Sequence, residues 1–146
     1  MLTSVDRLLF VRKVPIFKEL RDDFLVRLVS VMDEYSFPSN HTIFTQGEEG
    51  RSLYIVLSGR VKIHIQNKTL IEFSQGDYFG EMAVFDAEPR SASATTIEIC
   101  ECLELTQEHL DEAIEETPEI ALKIISSLSR HIRKLNKRLE AKEARK

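Results

Sequence analysis

The sequence predicts a mainly β fold with helices at both ends, arranged as a small antiparallel barrel or a jelly roll. Two observations carry this prediction. Between Tyr35 and Leu105 the chain breaks into roughly seven or eight short strand-like runs punctuated by turns, several of them containing glycine. Helical spacing of apolar residues occurs only before that stretch and after it. The 146 residues have room for one domain with a full core. That domain is expected to span 1–146, with helices in 1–33, the β region in 34–106 and helices again in 107–146.

In chain order, residues 4 to 13 read as a short helix with Ser4 or Asp6 near its start and Leu8, Leu9 and Val11 on its apolar side. Pro15 ends it, because the residue before a proline is pushed out of the α region. Phe17 and Leu20 are expected to plug into a larger body. Asp22 and Asp23 are the expected N-caps of a second helix over 23–32, whose Phe24, Leu25, Leu28, Val29 and Met32 fall at helical spacing.

The period then changes. Tyr35 and Phe37 alternate with polar residues, Thr42 to Thr45 is a short strand, and Gln46 to Gly50 is a turn. Leu53-Tyr54-Ile55-Val56-Leu57 is an unbroken apolar run, as a buried strand requires, and Val61 to Ile65 alternates cleanly. Leu70 to Phe73, Ser93 to Ile99 and Glu101 to Leu105 complete the series. Cys100 and Cys102 lie two apart and so share one strand face. They read as reduced packing residues, which predicts a cytoplasmic location.

Thr106 is expected to cap a helix beginning at Gln107. Thr117-Pro118 is expected to start the last one, with threonine as cap and proline at the first helical position. Ala121, Ile125, Leu128, Ile132, Leu135 and Leu139 alternate spacings of four and three, which is a heptad seam. Leu122, Ile124 and Ile125 are expected to pack on the β region, and the stretch from Leu128 to Leu139 to pair with a second copy as a homodimer. Residues 108–119 carry six acids and no Lys or Arg, while 123–146 carry nine Lys/Arg against two Glu. Both runs read as solvated helix faces.

Composition excludes several classes. Hydrophobic residues make up 42% and charged residues 30%, an ordinary soluble balance, and a net charge of −4 exerts no general pull toward nucleic acid. No apolar run approaches the ~20 residues of a membrane span, and the start lacks a signal-peptide pattern. The four histidines are scattered over turn, strand and helix without ligand spacing, so no metal site is predicted. No nucleophile–base–acid set has sequence-level support, and no enzyme activity is predicted.

One stretch interrupts the strand series. Residues 79–94 read Phe79-Gly80-Glu81-Met82-Ala83, then a short apolar turn, then Pro89-Arg90-Ser91-Ala92-Ser93-Ala94. Gly80 permits close backbone approach. Glu81 to Phe85 can form one helical turn whose first N–H groups are free for an anion. Arg90 offers a planar fork that matches two phosphate oxygens, and Ser91 with the backbone at Ala92 adds neutral donors. Glu81 repels phosphate but can accept from a sugar hydroxyl. A phosphate beside a ribose is a nucleotide, and one arginine without a lysine suits one phosphate group. Residue types alone leave open an exposed Glu81–Arg90 ion pair worth about 0–1 kcal/mol.

This run resembles the phosphate-binding cassette of the cyclic nucleotide-binding domain family, with pattern F-G-E-[LM]-A-…-P-R-[AST]-A. Phe79, Gly80, Glu81, Met82, Ala83, Pro89, Arg90, Ser91 and Ala92 all fit it. The resemblance, to the catabolite-activator and protein kinase A regulatory-subunit branch, implies a jelly-roll β-barrel (double-stranded β-helix) over nearly the whole chain. It implies a cyclic AMP or cyclic GMP ligand, with no further cofactor, held by Gly80, Glu81, Met82, Ala83, Arg90, Ser91 and Ala92. Ser91 stands where a threonine favours cyclic GMP in some relatives, so the base stays open. The last helix usually covers the base, and an ungapped continuation puts the base-facing positions on Leu135 and Asn136, with Val61 and Ile63 as a possible apolar floor. The implied function is a sensor whose C-terminal helix changes position on binding. The alternative is an interaction module of the same fold that acts only through its coiled-coil helix. The transcription factors of the family continue into a helix-turn-helix. This chain stops after the sensor helix and shows no DNA-reading element, which suits a stand-alone sensor or a regulatory part of a larger effector.

Overall fold

The computed structural model describes residues 3–86 and 88–144, apart from the side chains of Met82 and Ala83. The chain opens with helix α1 (Ser4–Val11), a 3₁₀ turn (Pro15–Phe17) and helix α2 (Asp22–Ser30). Strands β1 (Asp33–Phe37), β2 (Thr42–Phe44), β3 (Ser52–Ser58), β4 (Val61–Ile65), β5 (Lys68–Phe73) and β6 (Tyr78–Phe79) follow. Helix α3 (Glu81–Asp86) then precedes β7 (Ser93–Thr96) and β8 (Cys100–Thr106). Helices α4 (Gln107–Glu116) and α5 (Glu119–Ala144) end the chain.

The strands form two four-stranded antiparallel sheets, ordered β1-β8-β3-β6 and β2-β7-β4-β5. This is a jelly roll, but an open one. Among the described residues no strand pair joins the sheets, so the barrel expected from the sequence is not closed by hydrogen bonds.

The unbroken apolar run of β3 has a direct cause. Side chains alternate across a strand, and both faces of β3 are covered. Leu53, Ile55 and Leu57 join Leu103 and Leu105 of β8 in a core shared with the helices, including Phe17, Leu25, Leu28, Leu110, Ile120 and Ile124. Val56 points the other way, into a second core with Phe44, Val61, Phe79, Ala94, Cys100 and Cys102. Phe17 and Leu20 are buried in the helical core, as the plugs they were expected to be. The shared face of the two cysteines is likewise real, and both are free thiols.

Several helix ends differ from expectation because side chains found better partners. Thr3 caps α1 in a reciprocal capping box with Asp6. Asp22 and Asp23 lie inside the first turn of α2 rather than capping it. Their carboxylates go to Arg12 (3.0 Å) and Arg21 (3.1 Å), and they still suit the positive end of the helix dipole. Thr106 caps α4 through the His109 amide, as predicted. Thr117 does not cap α5 with its side chain. Its hydroxyl accepts from Arg27 at 2.7 Å, and only its carbonyl receives the Ile120 amide.

The buried face of α5 is also rotated from expectation. Ile120, Ile124 and Ser127 pack inward, with Leu128 partly buried. Leu122 and Ile125 face solvent, Ile125 at 58% exposure against 3% for Ile124. Beyond Leu128 the helix runs free of the sheets, with Ile132, Leu135 and Leu139 exposed. No helix of the described residues is long and apolar enough to cross a membrane.

The cysteines give a direct check on the two-sheet core. Burial pushes the Cys102 thiol up to about 12 and raises Cys100 as well. Only the thiolate reacts, so native protein at about pH 8 should resist iodoacetamide and take up two labels on unfolding in denaturant. Fast native labelling at either position would place that side chain outside the core.

Candidate functional site

The irregular segment after β6 is built around one arginine. Pro89 forms an isolated antiparallel bridge with Glu49. The Arg90 amide donates to the Glu48 carbonyl (2.8 Å), and the Arg90 carbonyl accepts from the Gly47 amide (2.9 Å). The turn before β3 therefore fixes the backbone from which Arg90 projects. Gly80 takes a φ of 81°, the left-handed region that glycine occupies without a Cβ penalty, and this redirects the chain from β6 into α3.

The Arg90 side chain is only 7% exposed. Nη1 donates to the Gly80 carbonyl (3.1 Å) and Nη2 to the Ser52 carbonyl (2.9 Å). Its Cζ sits 4.0 Å from the centroid of the Phe44 ring, a cation–π contact. Nε is buried and has no acceptor among the described residues. Burial pulls the guanidinium pKa below its ordinary value, opposed by Tyr54, Glu48, Glu104 and Glu81. Arginine nevertheless keeps its charge in proteins. Among the described residues no carboxylate forms an ion pair with Arg90, so the exposed Glu81–Arg90 pair that the residue types allowed is not formed.

Arg90 lines a cavity of about 310 Å³. One wall is polar and comes from the segment itself: Gly80, Glu81, Asp86, Glu88, Ser91 and Ala92, with Pro89 beside Arg90. The other is apolar: Phe44, Ile63, Ile71, Phe73 and Phe79. Phe79 stands between Phe44 and Phe73 at ring-centroid distances of 5.9 and 6.1 Å, giving a continuous aromatic base. Such a cavity can hold a small amphipathic anion, with its charge at Arg90 and its flat apolar part on the sheet.

Of the residues singled out in the sequence, Gly80, Glu81, Arg90, Ser91 and Ala92 meet at this cavity, and Ile63 forms part of its wall. The side chains of Met82 and Ala83, and Ala87 within the 79–94 stretch, lie outside the described residues. Val61 is not in the wall. It is fully buried beneath it, in the core between the sheets. Leu135 and Asn136 are not brought to the cavity within this chain. They lie on the exposed outer part of α5, where Leu135 borders a surface depression with Leu139 and Arg138.

Phe44, Ile71 and Phe73 were missed. The signal for two of them was cross-strand pairing: Ile71 pairs with Ile63, and Phe73 with Val61. That register includes an irregularity between Ile63 and His64, which period counting does not reveal.

The same architecture occurs in known proteins. The family model described as the cyclic nucleotide-binding domain matches residues 34–117. The CRP-like cAMP-activated global transcriptional regulator of Mycobacterium tuberculosis is 33% identical over 129 residues, covering 85% of this chain. The chain spans only 58% of that regulator's length. Among solved structures, the N-terminal domain of a transcriptional regulator from Streptomyces coelicolor A3(2) matches with a TM-score of 0.80 and 27% identity, covering 89% of this chain and 94% of that one. The catabolite activator protein of Thermus thermophilus matches with a TM-score of 0.71 and 30% identity, covering 88% of this chain and 63% of that one. With the family model spanning more than half of its length, the chain belongs to the cyclic nucleotide-binding domain family.

Proposed function

We propose that the chain is a sensor that binds a cyclic nucleotide, cyclic AMP ahead of cyclic GMP, at the Arg90 cavity, and that binding moves its C-terminal helix. One observation carries this: a guanidinium that is buried, and that among the described residues has no carboxylate partner and a bare Nε, sits at the polar end of an otherwise apolar cavity. A buried charge without an ionic partner is costly, and an anionic phosphate is the group that offsets it. The preference for cyclic AMP leans on the mycobacterial relative, which is named as cAMP-activated.

In this reading the cyclic phosphate takes the free N–H groups of Arg90, with Ser91 and the backbone at Ala92 completing the cradle. Glu81 accepts from the ribose hydroxyl, its charge balanced by Arg90. The backbone of Gly80, Met82 and Ala83 contributes alongside. The base lies on Ile63, Ile71 and Phe73. Leu135 and Asn136 reach it only when α5 moves, from this chain or from a second copy. The chain itself performs no reaction and needs no cofactor. It acts in the cytoplasm, as a stand-alone sensor or as a regulatory part of a larger effector.

Shared burial supports the switch. Val84 of α3, 2% exposed, shares the helical core with Ile120 and Ile124 of α5. In this reading a shift of α3 on ligand binding reaches the root of the last helix through that core. The ligand drives the change only through its differential affinity for the two positions, typically about 1–3 kcal/mol.

The interaction-module reading has its own observation, the exposed seam of Ile125, Ile132, Leu135 and Leu139. Such a stripe suits a homodimer through α5 and is compatible with either function.

Titration calorimetry with cyclic AMP and cyclic GMP tests the sensor directly. One-to-one saturable binding is expected, and Arg90→Ala should weaken it by about 2–5 kcal/mol, since a buried phosphate is left unpaired. Equal affinity in wild type and Arg90→Ala would remove Arg90 from the site. The seam is tested by sedimentation: the wild type should run as a dimer, and the Ile132→Asp/Leu139→Asp variant as a monomer with unchanged secondary structure. A monomeric wild type would end the dimer proposal.

A further inference from the structure

Gly50 is not in the wall of the Arg90 cavity, yet the side chain it lacks would occupy the space that the Arg90 side chain fills. Its backbone does not demand glycine, because its φ lies outside the left-handed region, unlike Gly47, Gly59, Gly76 and Gly80. Space demands it. An ideal Cβ at Gly50 overlaps Arg90 Nε and would lie 2.5 Å from Cζ and 2.7 Å from Cδ, where real Cβ atoms essentially never come within 3.0 Å. The nearest of these atoms, Nε, is the one buried without an acceptor.

Arg90 has no easy retreat. Its main chain is tied on both sides to Gly47 and Glu48 in the same turn. Its guanidinium is held by the Gly80 and Ser52 carbonyls and lies against Phe44. A methyl group at position 50 must therefore push the side chain out of this slot and away from both carbonyls.

We infer that Gly50 is the positioning residue for the Arg90 cation: the side chain it lacks is the slot that aims the guanidinium at the ligand's phosphate. Gly80 also crowds Arg90, with a Cβ 2.6 Å from Nη1, but its positive φ would confound any substitution. Gly50 separates space from backbone strain. The inference takes its ligand from the cyclic nucleotide proposal and its geometry from the slot alone.

The experiment is a double-mutant cycle on the full chain with Gly50→Ala, Arg90→Ala and the double variant. Cyclic AMP affinity is read by calorimetry and stability by thermal melting. The Arg90 Nε–H resonance of ¹⁵N-arginine-labelled protein is followed as well, assigned by its loss in Arg90→Ala. Gly50→Ala is expected to lose at least about 10-fold in affinity in the wild-type background and less than about 2-fold in the Arg90→Ala background. The Arg90 Nε–H signal should shift, and the double variant should melt like Arg90→Ala alone. If Gly50→Ala alone fails to fold, recovery of folding in the double variant upholds the slot, and continued failure overturns it. Wild-type affinity in Gly50→Ala, or an equal loss in both backgrounds, also overturns it. If the wild type binds no nucleotide, a displaced Nε–H signal in Gly50→Ala upholds the positioning role while removing the ligand reading, and an unmoved signal overturns both.

Discussion

The constraint on which the candidate site depends is the burial of one guanidinium. Removing such a charge from water costs several kcal/mol even after relaxation, and among the described residues no carboxylate partner offsets it directly. The protein answers with neutral groups from four parts of the chain. The turn ending at Gly50 holds the backbone, Gly80 and Ser52 lend carbonyls, and Phe44 lends its ring. More distant acids, Glu48, Glu81 and Glu104, favour the charged form without neutralising it. The result is a cation that is positioned but not consumed. Had Glu81 closed on Arg90 as an ion pair, the donors needed for an anion would already be occupied.

The strand β3 connects that cation to the rest of the fold. Its first residue, Ser52, supplies the carbonyl that receives Nη2. Its odd positions, Leu53, Ile55 and Leu57, belong to the helical core, and Val56 belongs to the core beneath the cavity. A strand buried on both faces has little freedom to shift, because interiors are packed as densely as organic crystals. α3 differs. It is one short element whose Val84 is buried, set between a left-handed glycine and the Glu49–Pro89 bridge. This short helix packs on β3 and lies beside Arg90.

Much of this was legible in the sequence where a local rule acts alone. Period-two runs marked the strands, the double-sided run marked β3, and the i, i+2 spacing put Cys100 and Cys102 on one face. Local rules failed where another side chain competed. Asp22, Asp23 and Thr117 have good capping chemistry, but Arg12, Arg21 and Arg27 hold them instead. On α5 the seam through Ile125 and the stripe through Ile120 and Ile124 are both apolar. The 3₁₀ turn and α4, which pack against α5, lie on the side of the stripe that faces inward. Of the aromatic base, Phe79 was named within the motif, but Phe44 and Phe73 belong to strands distant in sequence. No motif window contains them, and their convergence rests on sheet register.

The behaviour of α5 follows from where it is held. Apolar burial ends near Leu128, and one further contact continues it: Glu19 accepts from Ser127 and pairs with Arg130. Arg130 is largely exposed, which limits that pair to the surface range of about 0–1 kcal/mol. Ile120 and Ile124, by contrast, are as buried as the sheet core and hold the root firmly. The helix therefore has a strong pivot, a weak latch and a long unsupported arm. In the proposed switch, a ligand coupling of about 1–3 kcal/mol outweighs the latch. In that proposal a rotation about the root releases the latch and leaves the buried contacts of Ile120 and Ile124 intact.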